Sequence, residues 1–294
     1  MSKTIADVRA HLAKLPPTDN MTIAERRAQY ERAEKAFPTP PDVKVEHVTT
    51  PGPAEWLTPP GARTDAAVLY LHGGGYVIGS PRSHRHLAAA IGRAAKTQVL
   101  LPDYRLAPEH PYPTAVEDAY AAYRWLLMRG IAPSRIAVAG DSAGGGLTAA
   151  LLVAIRDRGM PLPAAGVCIS PWTDLTCSAK SYETRKAADP IVKSEGIEAM
   201  AKAYLAGKDP KAPLVSPLFA DLKGLPPLLI HVGNDEVLLD DAVQLGERAR
   251  ANGVDTTLEV WDQMVHVWHW FFPILDEGQQ AIDRIGAFVT ARIQ

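Results

Sequence analysis

From residue 66 onward the chain alternates continuous apolar runs with helical stretches, and this rhythm limits what it can fold into more than any other feature. The apolar runs are AAVLYL (66–71), TQVLLP (97–102), RIAVAG (135–140), AAGVCIS (164–170), LPPLLIHVG (225–233) and TTLEVW (256–261). Helical patterns fall near 83–96, 114–129, 143–158, 239–252 and 277–292. A strand buried on both faces is apolar throughout, because neither face meets water. Such strands alternating with helices predict an α/β fold with a mostly parallel sheet and helices on both faces. The length of 294 residues and the 47% hydrophobic content are sufficient for that core.

The rhythm is interrupted twice. The first 37 residues look helical, in two pieces broken at Pro16-Pro17, and a turn at 38–41 rich in proline closes them off. Residues 43–49 and 54–58 then predict two short antiparallel strands at a sheet edge, around Pro51-Gly52-Pro53. The second interruption, 175–215, has helical pieces such as Glu195 to Leu205 and no strand pattern. It is too long for an ordinary connection. Insertions after strand C-termini in such sheets lie over the ligand crevice. The expected organisation is therefore an N-terminal helical cap segment over 1–40, a core over 41–174 and 216–294, and an inserted cap segment over 175–215.

Net charge is −2 and no basic run exceeds a pair, so no nucleic-acid footprint is present. No stretch reaches the roughly 18 apolar residues of a membrane span, so no stable membrane insertion is expected. The start, MSKTIADVRAHLAKL, lacks the apolar centre of a signal peptide, which makes the cytoplasm the expected compartment. Cys168 and Cys177 form neither a disulfide framework nor a metal spacing; both are expected to be structural or incidental, and no metal is expected.

Gly140-Asp141-Ser142-Ala143-Gly144 fits G-x-S-x-G, a weak pattern by itself. Its setting strengthens it: a strand pattern precedes it and a helix pattern follows, which is the context of a nucleophile elbow. The serine would then sit at a helix N-terminus, where the dipole and free N–H groups favour developing negative charge. The bland alternative is a tight turn with an idle serine. His72-Gly73-Gly74-Gly75 follows the strand AAVLYL. No G-K-[ST] follows, so it is not a phosphate-binding P-loop. The HGGG pattern is the loop that supplies oxyanion donors in lipases and esterases. Gly73, Gly74 and Gly75 are the candidate donors, with Gly74 favoured, and the N–H of Ala143 would complete the hole. His72 is expected to pin the loop.

HGGGY at 72–76, DYRLAPEHPYP at 103–113 and GDSAGGG at 140–146, in this order, resemble the hormone-sensitive lipase-like esterases, the bacterial family IV lipolytic enzymes. The resemblance runs from about residue 40 to the C-terminus. It implies the α/β-hydrolase fold with a helical cap, and hydrolysis of short-chain acyl esters through a Ser-His-Asp triad and a covalent acyl-enzyme, without cofactor or metal. A small-molecule ester would be the partner. A homodimer through the last sheet strand is frequent in such enzymes. DYRLAPE is expected to serve as scaffold for the floor of the site.

In this fold the order along the chain is Ser, then Asp or Glu, then His. After LLIHVG comes Asn234-Asp235-Glu236-Val237-Leu238-Leu239-Asp240. Asp235 is placed on the acid of the family's Asp-Pro-Leu-x-Asp pattern, with Glu236 and Val237 replacing Pro and Leu. Glu236, Asp240 and Asp241 are rivals, the last two also suited to the start of the next helix. After TTLEVW, His266 occupies the family's histidine position. His269, among aromatics, and His231, inside a strand, suit core histidines better. A ligand-binding protein on the same scaffold, as in the plant gibberellin receptors that have lost the histidine, is disfavoured by His266. An amide hydrolase or acyltransferase would share the chemistry up to the acyl-enzyme.

Overall fold

The computed structural model describes residues 3–15 and 21–294. The expected break at Pro16-Pro17 lies outside them. Eight strands, β1 (Lys44–Thr49), β2 (Pro53–Thr58), β3 (Arg63–Leu71), β4 (Thr97–Pro102), β5 (Ile136–Asp141), β6 (Ala165–Ile169), β7 (Leu228–Gly233) and β8 (Thr256–Trp261), form one sheet. Their spatial order is β1-β2-β4-β3-β5-β6-β7-β8. The pairs β1/β2 and β2/β4 are antiparallel and all others are parallel. The first two strands form the antiparallel edge that their alternation predicts.

The helices are α1 (Ile5–Leu12), α2 (Ile23–Tyr30), α3 (Ala33–Ala36), α4 (Pro81–Ala95), α5 (Thr114–Met128), α6 (Ala143–Asp157), α7 (Ser181–Thr184), α8 (Ser194–Leu205), α9 (Leu239–Ala251) and α10 (Asp276–Thr290). Successive residues of β3 serve opposite faces of the sheet, because side chains on a strand alternate. Ala67, Leu69 and Leu71 join the cluster built from α5, α6 and α9. Ala66, Val68 and Tyr70 join the one built from α4 and α10. Each face therefore has its own core, and the central strands are buried on both sides.

The local signals explain several boundaries. Ser80 accepts the Ser83 N–H at the start of α4, with Pro81 in the first turn where its missing N–H costs nothing. Thr22 and Glu25 form a reciprocal capping box on α2, satisfying two donors that a helix start leaves free. The second of the two helical pieces expected within the first 37 residues is instead two helices, α2 and α3, separated by a turn at 31–32. Between β6 and β7, among the described residues, the α-helices are the single-turn α7 and the twelve-residue α8, with no strand, as the pattern of 175–215 indicates.

Candidate active site

The turn from β5 into α6 carries Ser142. Its backbone has φ 55° and ψ −121°, a conformation unfavourable for a residue with a side chain. The turn survives because its neighbours are glycines. A Cβ on Gly144 would lie 2.0 Å from the Leu71 carbonyl oxygen, and one on Gly140 would lie 2.3 Å from the Gly144 oxygen. Helix and strand therefore meet backbone to backbone. The Ser142 N–H donates to the Ile169 carbonyl at 2.8 Å, and its own carbonyl accepts from Gly146 and Trp172. Over 136–155, Ser142 is the one residue that is not buried.

The HGGG loop leaves β3 beside this turn. The Tyr104 hydroxyl donates to the His72 carbonyl at 2.6 Å, and the two rings stack 4.1 Å apart. The Ala107 N–H donates to Tyr76 at 2.8 Å. The DYRLAPE segment thus holds the glycine loop, the scaffold role expected of it. His72 bonds the Gly73 carbonyl through Nδ1, and burial lowers its pKa to about 3. It is a neutral pin.

Gly73 does not stand ready for an oxyanion. Its N–H donates to Asp141 Oδ1 at 3.2 Å, so this part of the oxyanion expectation is corrected: the donor is already engaged. Among the described residues the N–H groups of Gly74, Gly75 and Ala143 have no such partner. Gly74 and Gly75 have φ 113° and 61°, which glycine adopts without strain. Asp141 also accepts from Tyr70 at 2.7 Å, and His84 Nε2 lies 3.5 Å away. Burial opposes its charge, but His84 and the Tyr70 hydroxyl outweigh that and hold the carboxyl below its ordinary value.

The acid expectation needs a larger correction. Asp235 faces away from the histidine: it pairs with Arg9 of α1, which also binds the Gln263 and Ala188 carbonyls. The neighbouring Glu236 is fully buried and its Oε2 lies 2.8 Å from His266 Nδ1. The pattern Asp-Pro-Leu-x-Asp slips by one residue. With Glu236 in first place, Leu238 and Asp240 fall on the Leu and the final Asp; with Asp235 in first place neither does. That agreement was the available signal. Asp240 and Asp241 do begin α9, but their carboxylates cap nothing there. Asp240 accepts the Ser181 N–H, and Asp241 accepts those of Thr173 and Asp174.

Ser170, at the end of β6, joins the pieces. Its hydroxyl donates to Glu236 Oε1 at 2.7 Å and accepts the Val267 N–H at 3.1 Å. Ile169 beside it holds Ser142. Nothing in the sequence marks Ser170, because its partners are 66 and 97 residues away. Burial disfavours a charged His266 ring, yet the Glu236 carboxylate prevails and its pKa is raised. Burial likewise raises Glu236, with His266 pulling the other way. His269 is buried against His231 at 3.1 Å, and burial holds it far below the ordinary histidine range. Both are core histidines. Burial raises Cys168 and Cys177 to about 12, so neither is a thiolate nucleophile.

Ser142, the glycine loop, Glu236 and His266 follow β5, β3, β7 and β8, all at the C-terminal edge of the parallel strands, where such sheets bind ligands. A model of the α/β-hydrolase fold matches residues 68–270. The chain belongs to the α/β-hydrolase family. Among its relatives, an acetyl-hydrolase of Streptomyces hygroscopicus is 52% identical over 92% of this chain and 91% of that protein. An esterase of Acinetobacter venetianus is 32% identical over 95% and 92%. A solved esterase of the bacterial hormone-sensitive lipase family superimposes with a TM-score of 0.95, is 53% identical and covers 100% of both chains. This α/β hydrolase is thus a hormone-sensitive lipase-like member. None of its helices, among the described residues, is long and apolar enough to cross a membrane.

Proposed function

We propose that this α/β hydrolase is a serine carboxylester hydrolase for short acyl chains, with Ser142 as nucleophile, His266 as base and Glu236 as acid. The observation that carries the reading is the 2.8 Å contact between Glu236 and His266 Nδ1, on loops that Ser170 and Ile169 tie to the strained Ser142 turn. Nδ1 bound to a carboxylate fixes the tautomer and leaves Nε2 to move the proton. His266 takes the Ser142 hydroxyl proton as Oγ attacks the ester carbonyl carbon. The resulting oxyanion is met by the N–H groups of Gly74, Gly75 and Ala143, at the N-terminus of α6. Collapse expels the alcohol, which receives the proton from His266. Water, deprotonated by His266, then hydrolyses the acyl-enzyme and frees Ser142.

The short-chain preference and the cap belong together. Met200 of α8 lies against Gly75, where a Cβ would meet its sulfur at 2.1 Å. Tyr204, one turn on, stacks on Tyr76 at 3.9 Å. Arg27 of α2 reaches the Val77 and Ala107 carbonyls and Glu109. In this reading 1–40 and 175–215 form a cap over a core of 41–174 and 216–294. A low roof suits a small acyl group, and the relatives fit this: one is named an acetyl-hydrolase, and the structure of another, EstE5, was obtained after soaking with p-nitrophenyl butyrate. Each methylene buried adds only about 0.8 kcal/mol until the space is full. On p-nitrophenyl esters, kcat/KM should peak between roughly two and eight acyl carbons, and a fluorophosphonate should label Ser142. Faster turnover of long-chain triglyceride, or labelling elsewhere, would overturn the proposal. The open edge of β8, where Val260 is 47% exposed, would carry a homodimer; sedimentation as a monomer at micromolar concentration would remove that part.

A further inference from the structure

The stretch between α7 and α8 carries a buried carboxylate, Asp189, that the catalytic scheme does not use. Asp189 is fully buried. Its Oδ1 accepts the N–H groups of Ile191 and Val192 at 2.8 and 2.9 Å, closing a turn within its own segment. Its Oδ2 reaches out of that segment and accepts the Val237 N–H at 2.9 Å. Val237 directly follows Glu236. All three groups bound to the carboxylate are backbone N–H donors, and the Lys193 ammonium donates to the Asp189 carbonyl at 2.9 Å. The preceding residue is fastened as well: the Ala188 carbonyl accepts from Arg9 at 2.7 Å, and Arg9 also holds Asp235 and the Gln263 carbonyl. The segment over the site is therefore tied to the turns before Glu236 and before His266.

We propose that Asp189 is a positioning residue for the Glu236–His266 pair, fixing from the overlying segment the turn that carries Glu236 and adding a second buried carboxylate to those that act on the imidazole. The inference rests on the reading of those two residues as acid and base. A segment that only roofed the substrate would need no hydrogen bond to the acid's own turn. A buried charge has long reach, because little water screens it. The groups that bear on His266 are Glu236, Asp189 and Asp141, all acidic, and the neutral His269. Two of these carboxylates lie in the core; Asp189 alone comes from the overlying segment. Loss of that segment's register would thus reach the chemistry directly, without any change in substrate contacts.

The test compares Asp189→Asn with wild-type protein on p-nitrophenyl butyrate across pH. The amide keeps the shape but removes the charge and turns one acceptor into a donor. A fall in kcat of about tenfold or more is expected, with KM changed less than about threefold, because the turn and not the substrate pocket is disturbed. The acid limb of kcat/KM should move down by about half a pH unit, as a nearby negative charge favours the imidazolium. Ser194→Ala, which removes the hydroxyl bound to the Tyr182 carbonyl in the same region, should lower Tm and leave the limb in place. Asp189→Ser, smaller but still able to accept from Ile191 and Val192, is the second variant and should show the same shift. An unmoved limb with kcat within about twofold of wild type, in either folded variant, overturns the inference. So does failure of both variants to fold, which would make Asp189 a determinant of folding only. Glu236→Gln run in parallel separates the two readings. If it stays active, the acid assignment fails. If it is inactive while Asp189→Asn is normal, only the role of Asp189 fails.

Discussion

At Ser142 a residue with a side chain is held at positive φ, a conformation that costs about 1–3 kcal/mol and persists only where the surroundings impose it. The surroundings here are glycines 140 and 144, packed on the carbonyls of β3 and of the elbow itself. The pH response follows from the partner of His266. The base must be neutral, and the Glu236 carboxylate raises the pKa of its ring. The acid limb of kcat/KM should therefore lie above the usual histidine value of about 6.5, with activity lost as pH falls through it. A limb well below that value would contradict the pairing. His266→Ala should cost about 10⁴-fold or more in kcat, and Ser142→Ala should not add to it, because the two act as a unit. His269→Ala should cost far less, through packing against His231 and Trp268. An inactive His269→Ala beside an active His266→Ala would show that the base is misassigned. Ser142 and the glycine loop were legible because each lies in a short motif at a strand's end, and His266 because it follows the last strand in the fold's order of Ser, acid, His. Glu236 was obscured by the acidic residue before it, and Ser170 and Asp189 were invisible because the bonds that tie them to the loops of Glu236 and His266 span 48 to 97 residues.

Among the elements, the parallel strands and their helices could be read from apolar runs alone, since double-sided burial leaves a continuous signature. What the runs could not convey is how the stretch after β6 is anchored. It is held from α9: Asp241 accepts two N–H groups from 173–174, and Asp240 accepts one from α7. Burial pushes the Asp241 carboxyl up to about 8. Its folded pKa is thus above its unfolded value of about 3.9. The proton it binds in the native state stabilises fully at low pH, and that contribution is lost as pH rises toward 8. Asp241→Asn, which keeps an acceptor and has no proton to lose, should gain in Tm relative to wild type between pH 5 and pH 8.5. A difference that stays constant over that range would mean that Asp241 is ionised in the folded protein throughout.

Across the whole molecule, one sheet brings together groups from four strand ends, and the chain N-terminal to the sheet reaches the same edge. Arg9 of α1 pairs with Asp235, while Arg27 of α2 binds Glu109 and the Val77 carbonyl, two residues past the glycine loop. The two adjacent acidic residues after β7 consequently have opposite duties: Asp235 receives the N-terminal helix and Glu236 receives the histidine. The Arg9 pair is partly exposed, so its contribution is modest, on the order of a surface ion pair. The Glu236 pair is buried, and removing one partner leaves the other without compensation. These duties predict unequal consequences, and one comparison tests the account most directly: kcat on p-nitrophenyl butyrate for Glu236→Gln and Asp235→Asn, measured side by side with both variants verified as folded. Glu236→Gln should lose about 10³- to 10⁴-fold, as expected when the base loses its orienting carboxylate, and Asp235→Asn should stay within about tenfold of wild type. An inactive Asp235→Asn together with an active Glu236→Gln would contradict the account.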